Sequence, residues 1–239
     1  MRVSAAAVVL GVLATLVFAV TPVASGQEVP TCQGEPATIV ATGTGATFGT
    51  DGNDVIVGTT GADTIYGLGG DDLICGAPDG STADGGDWID GGDGNDNIVG
   101  MLGNDTIYGG NGDDGVVGGD FTGEPGNPGA KPPDGNDTLV GGNGNDFATG
   151  MLGNDTVMGG NGNDDLFGGP GNDAVSGDNG DDLVVGNFGS DSLSAGNGND
   201  ILDGDNVVDD GPVADPNPNS DSCAGGKGLN QFFFCETQS

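Results

Sequence analysis

One residue type returns at a fixed interval along this 239-residue chain, and it is a carboxylate. Asp54, Asp63, Asp72, Asp87, Asp96, Asp105, Asp114, Asp137, Asp146, Asp155, Asp164, Asp173, Asp182, Asp191 and Asp200 stand nine residues apart, with longer gaps only before Asp87 and Asp137. Evenly spaced carboxylates are hard oxygen donors, suited to a hard cation. The chain has no His, and so lacks the commonest general base and the commonest zinc or copper ligand. Catalysis needs a nucleophile, acid and base gathered in a pocket. Here the acids are committed to a period, and residues 27–48 and 204–239 are too short for a separate catalytic domain. The reading is that the protein is not an enzyme.

The element that positions each Asp is a nonapeptide, G-G-x-G-x-D-x-U-x, where U is aliphatic. Copies begin at residues 49, 58, 67, 76, 91, 100, 109, 118, 141, 150, 159, 168, 177, 186 and 195; those at 76 and 118 carry insertions. The eighth position is Ile, Val or Leu in every copy except for Ala148. Glycines at the first, second and fourth positions permit the unusual backbone of a tight turn with exposed carbonyls. The last three residues, such as Thr106-Ile107-Tyr108, alternate out, in, out like a short strand. Two copies make one coil, and strands fall alternately into two parallel sheets with the eighth-position aliphatics between them.

That core is thin. One buried aliphatic contributes roughly 1.5–3 kcal/mol, against roughly 1–2 kcal/mol of backbone entropy for each residue ordered. Coils stacked about 4.8 Å apart also bring each Asp near its counterparts above and below, where like charges repel. A bivalent cation between turns reverses the sign of that interaction. Ca2+ accepts six to eight oxygens at about 2.3–2.6 Å, whereas magnesium demands a tighter shell and gives up water reluctantly.

The nonapeptide resembles that of the RTX (repeats-in-toxin) calcium-binding family, and the resemblance covers residues 49–203. It implies an all-β fold, a right-handed parallel β-roll (β-solenoid), with multiple calcium ions between turns of copies two apart, held by the Asp residues named above. It also implies a chain largely unfolded without calcium. No pore-forming or acylation region accompanies the repeats, so toxin activity is not carried over. The chain is more similar to small secreted actinobacterial calcium-binding repeat proteins.

Composition agrees. With 53 Gly and 12 Pro, the chain would read as disordered were there no period. Its formal net charge of −34 excludes nucleic acid and anionic membranes as partners and favours cations. Residues 1–26, with Arg2 before the apolar run Ala5–Val20, read as a cleaved secretory signal peptide that leaves no membrane span. The localisation expected is secreted, extracellular or cell-surface. Four cysteines in an exported chain point to disulfides with three possible pairings. The short spacing of Cys223 and Cys235 favours that pair, leaving Cys32 with Cys75.

The two edges and two faces differ. Third positions of the odd copies are polar, including Asn111, Asn143, Asn161, Asn179 and Asn197; those of the even copies include Thr60, Leu102, Leu152, Pro170 and Phe188. Both insertions, GAPDGSTADG and FTGEPGNPGAKPP, fall on the even edge. The outer face of the odd strands is apolar (Val55, Val57, Leu73, Cys75, Val99, Val117, Phe147, Phe167, Leu183, Val185, Ile201), whereas the even strands offer Thr64, Thr106, Thr138, Thr156 and Ser192. A Cys32–Cys75 bond would pin TCQGEPATIV across the odd face. Tyr66, Trp88 and Tyr108 read as isolated outer residues that pack rather than hold sugars. Val40–Phe48 has the spacing of a decayed copy. Residues 204–224 read as a sixteenth copy with Asp221 and Cys223 in the sixth and eighth places, and Gly225–Phe233 as a last one with Asn230 in place of Asp; the run Phe232-Phe233-Phe234 suits an end plug. Residues 91–117 and 141–167 are near duplicates.

The domain reading is therefore 1–26 signal peptide, 27–48 N-terminal cap segment, 49–203 calcium-binding β-roll and 204–239 C-terminal degenerate repeats with a disulfide-closed cap. The function expected is a secreted calcium-binding repeat protein with a structural or surface-interaction, adhesion-like role. A cell-surface or extracellular partner would use the even edge or the apolar odd face. A polysaccharide-active roll is the alternative, as is an ice-binding roll displaying the fifth-position asparagines.

Overall fold

The computed structural model describes residues 29–120, 135–204, 221–228, 230–233, 235 and 237–238. The expected leader over 1–26, the body of the second insertion at 121–134 and the side chains of the Phe232–Phe234 run lie outside the described residues.

Every described element is a strand, and two parallel sheets of ten strands each face one another. Odd copies build one sheet, from Val55–Val57 through Gly115–Val117 to Ile201–Asp203; even copies build the other, from Thr64–Gly69 through Trp88–Asp93 to Ser192–Ser194. Each strand pairs with those two copies away, so Ile107 lies opposite both Ile89 and Leu139. Period, pairing and layering make a parallel β-roll. The eighth-position row from Ile56 to Leu202, together with Cys223, forms one continuous buried cluster, with Ile39 and Cys235 packed against it. Aliphatics in register across parallel strands are what one apolar residue per nonapeptide produces, because the pleat turns alternate residues to one face.

The strands are longer than the three residues expected. Thr64–Gly69, Trp88–Asp93, Thr106–Asn111, Thr138–Asn143, Thr156–Asn161 and Ala174–Asn179 on the even sheet span six residues each, as do Asp165–Pro170 and Leu183–Phe188 on the odd one. Pairing resumes after each bend, with Gly110 opposite Gly142 and Asn111 opposite Asn143. The nine-residue copy thus spends fewer residues in its turn than its glycine content suggests, because stacked turns also hydrogen-bond to one another.

At the N-terminal end, Ile39–Val40 pairs with Ile56–Val57 and Thr47–Phe48 with Ile65–Tyr66. At the other end, Asp221 Oδ1 accepts the Asp191 N–H at 2.8 Å, and Asn230 Oδ1 accepts the Asp200 N–H at 3.2 Å. Both disulfides form the favoured pairs, Cys32–Cys75 and Cys223–Cys235, with Cα separations of 5.6 and 5.8 Å.

The Cys32 bond organises a second apolar layer outside the odd sheet. Cys32, Val57, Cys75, Ala77, Val99, Met101 and Val117 are buried together there. The covering piece is a hairpin of Thr31–Cys32 against Glu35–Pro36. Asp79, from the first insertion, holds it: Oδ2 accepts the Thr31 hydroxyl at 2.7 Å and the Gly34 N–H at 2.8 Å, and Oδ1 accepts the Gln33 N–H at 2.9 Å. That insertion is committed to its own chain. Farther along the odd face, Phe147 and Ile201 stay exposed.

One expectation is overturned. Tyr66, Trp88 and Tyr108 are not isolated: with Phe48 they form a ladder of ring contacts on the outer face of the even sheet, centroids 5.0, 4.9 and 5.7 Å apart in sequence along the axis, the first pair stacked and the other two tilted. Parallel pairing sets Trp88 in the row of Thr64 and Thr106, and Asp90 in the row of Tyr66 and Tyr108, so Trp88 reaches both tyrosines from two residues away, an offset that the first insertion helps to hide in the sequence. Phe48 and Tyr66 turn their ring faces toward each other, 7° from parallel, which leaves those faces in mutual contact and not toward a sugar.

Candidate metal centre

The turn between strands is shaped by its second position. Outside the two insertion-bearing copies, from copy three onward, the residue there always has positive φ, whether glycine (Gly92, Gly110, Gly142, Gly160) or not (Leu68, Met101, Met151, Asp178, Asn187, between 70° and 80°). A side chain in this region is strained, so the turn is over-determined by the stack around it. The first position is constrained by space. A Cβ on Gly109 would lie 2.5 Å from the Gly141 carbonyl oxygen and 2.6 Å from Asp114 Oδ2. Carbonyl and carboxylate oxygens of adjacent coils thus converge on the bare face of a glycine.

All fifteen expected aspartates occupy the sixth position and are buried. The fold separates them into two files, one on each edge: Asp54, Asp72, Asp96, Asp114, Asp146, Asp164, Asp182 and Asp200 on the odd, and Asp63, Asp87, Asp105, Asp137, Asp155, Asp173 and Asp191 on the even. Oδ1 of each, except for Asp54 and Asp63 at the head of the files, links the coils by accepting the N–H of the Asp one coil earlier, as Asp164 does from Asp146 at 2.8 Å and Asp87 from Asp63 at 2.8 Å. The other oxygen is different. Oδ2 of Asp72, Asp87, Asp96, Asp114, Asp146, Asp164, Asp173, Asp182 and Asp200 is buried with no hydrogen-bond partner.

An orphaned buried carboxylate oxygen costs several kcal/mol, and the acidities reflect it. Burial raises Asp72, Asp114 and Asp182 to about 7, Asp146 and Asp173 to about 6, and Asp87 to about 9, from an ordinary 3.8. The backbone N–H on Oδ1 pulls each value down, and neighbouring carboxylates push most of them further up.

Two of the fifteen have different company. Asp54 Oδ2 accepts the Thr50 N–H at 2.7 Å and the Thr50 hydroxyl at 2.8 Å; Asp63 Oδ2 accepts the Thr59 N–H at 2.6 Å and hydroxyl at 2.7 Å. One acid was missed by the sequence reading. Asp84, in the first insertion, accepts the Gly85 N–H on Oδ1, has a buried Oδ2 without a partner, and is raised by burial to about 7, with Asp63 adding to the rise. Counting back from Asp87 places Asp84 at position three of its copy, a signal obscured when the copy is counted forward across the insertion.

The fifth-position asparagines also have a role that the sequence did not disclose. Asn53 Oδ1 accepts the Asp71 N–H, Asp71 Oδ1 accepts the Asn95 N–H, and Asn95 Oδ1 accepts the Asp113 N–H, at 2.9–3.0 Å. Asn and Asp alternate freely because only the acceptor is needed. At the third position, amide Nδ2 donates to the Oδ1 one coil earlier, from Asn197 through Asn179, Asn161, Asn143 and Asn111 to Asp93. Acceptors bonded from coil to coil are poorly suited to a regular ice-facing display.

A hard cation fits these residues. The turns of Asp72, Asp87, Asp96, Asp114, Asp146, Asp164 and Asp182 each set an unpartnered carboxylate oxygen against clustered carbonyls, the donor set that calcium accepts. Among the described residues no three His, Cys, Asp or Glu side chains are placed to hold an ion by themselves, so backbone carbonyls must complete the shell. A family model for the RTX calcium-binding nonapeptide repeat matches residues 48–80, 81–116, 134–166, 141–175, 149–184 and 176–209, more than half of the chain. Comparison with curated proteins gave no match.

Proposed function

Since the chain belongs to the RTX calcium-binding nonapeptide repeat family, we propose that it is a secreted protein whose coils are held in register by calcium between stacked turns. Asp72, Asp87, Asp96, Asp105, Asp114, Asp137, Asp146, Asp155, Asp164, Asp173, Asp182, Asp191 and Asp200 would hold the ions with the turn carbonyls. Bound calcium supplies two positive charges and a roomy oxygen shell. The aspartates contribute twice, bonding to the neighbouring coil through one oxygen and facing the turn interior with the other. The orphaned Oδ2 file is the observation that carries this reading.

Secretion rests on the leader-like residues 1–26 and on two disulfides, which suit an oxidising compartment. Export as an unfolded chain, followed by folding where calcium is abundant, makes binding and folding one event. The reading assigns the protein a structural or surface-interaction role with no catalysis. Phe147, Leu152, Phe188 and Ile201, exposed on the C-terminal half, supply apolar surface for contact.

Circular dichroism of the exported protein during a calcium titration tests this. Strand signal is expected to rise with calcium, to fall in EGTA and to respond weakly to magnesium. A chelated sample with full strand signal, unchanged by calcium, contradicts it.

A further inference from the structure

The two exceptional aspartates mark a boundary. Thr50 and Thr59 stand at the second position, where copies without insertions from the third onward have positive φ, yet neither threonine does. A β-branched side chain resists that region. The first two turns therefore take a different path. In each, the threonine hydroxyl donates to the Asp Oδ2 and accepts the N–H two residues on, from Gly52 and Gly61, at 3.2 Å. The side chain closes the turn locally and covers the carboxylate oxygen that other turns leave bare.

We propose that Thr50 and Thr59 take the place of the metal, so that the turns of Asp54 and Asp63 are calcium-free sites and the first coil folds without calcium. This rests on the calcium reading of the remaining turns. Independent features surround the same coil: the Cys32–Cys75 bond, the apolar layer over Val57 and Cys75, and the stacked rings of Phe48 and Tyr66. None of these needs a cation. A coil so held presents formed strands, Val55–Val57 and Thr64–Gly69, on which the next coil can pair. The exported chain would carry a ready-made edge at its N-terminal end, and calcium would extend the roll from it.

Hydrogen exchange read by mass spectrometry on the full, disulfide-bonded chain tests this, using calcium itself and EGTA as the probes. In EGTA, peptides spanning 49–66 are expected to exchange at least about tenfold more slowly than those spanning 141–203, and calcium is expected to protect only the latter further. The variant Thr50→Val/Thr59→Val keeps the β-branched shape and removes the hydroxyls. It is expected to lose the EGTA protection of 49–66 while 141–203 still gains protection from calcium. Equal, fast exchange of both regions in EGTA overturns the proposal while leaving calcium folding intact, as does unchanged protection in the valine variant. Full protection of the whole chain in EGTA overturns the calcium reading instead.

Discussion

The first coil and the coils between residues 141 and 203 use the same nonapeptide and are stabilised differently. In the first, Asp54 and Asp63 are clasped by threonine donors, a disulfide anchors the covering hairpin to Cys75 on the adjacent strand, and a second apolar cluster lies outside the sheet. In the later coils, each copy buries one aliphatic such as Leu166 or Val184, and Asp146, Asp164, Asp173, Asp182 and Asp200 each keep an oxygen without a partner. The difference teaches that the repeat fixes a shape and not a source of stability. On the proposed reading, protein donors complete the turn in place of a cation in the first coil, and a cation completes it in the later ones.

Acid should disturb this comparison most, because it acts on every orphaned carboxylate together. Their folded pKa values lie above the ordinary 3.8, at about 6 for Asp146 and Asp173 and about 7 for Asp182. A raised folded value means that the metal-free fold binds protons more tightly than the open chain. Its stability contribution is complete below about pH 4 and is lost as pH rises through 6 to 7. Chelated protein should therefore gain strand signal on acidification from pH 8 to 4.5, seen by circular dichroism. With calcium present, the same acidification should weaken binding, since ligands must be deprotonated.

Cys32→Ser/Cys75→Ser should abolish the contrast in EGTA. The sequence separation of 43 residues corresponds to about 4 kcal/mol of lost chain constraint, and exchange over 49–66 should approach that over 141–203. A smaller change is expected from Asp164→Asn, which keeps an acceptor for the Asp146 N–H and removes the charge. The calcium midpoint for 141–203 should rise severalfold, whereas Asp63→Asn should leave it unchanged. Least of all, Asn161→Ala, which breaks two amide links of the third-position ladder, should cost about 1 kcal/mol by thermal melting in calcium.

Much of this was legible beforehand because the repeat is strict. The aspartate files, the buried row from Ile56 to Leu202 and the parallel pairing all follow from a nine-residue period folded two copies to a coil. What stayed hidden depends on contacts eighteen or more residues away. The aromatic ladder of Phe48, Tyr66, Trp88 and Tyr108 is interrupted in sequence by an insertion. Asp84 falls into place only when its copy is counted from the far side. Thr50 and Thr59 stand where the repeat calls for glycine, and their role shows only in the turn conformation that brings a hydroxyl onto Oδ2. The asparagine amides seemed available for display, and only the stacking shows them bonded between coils.

The most direct measurement is an anomalous-difference map from crystals of the exported protein grown in calcium. The account predicts peaks beside Oδ2 of Asp114, Asp146, Asp164 and Asp182, repeating from coil to coil, and none beside Asp54 or Asp63. Carboxylates surrounded only by water along the whole file would contradict it.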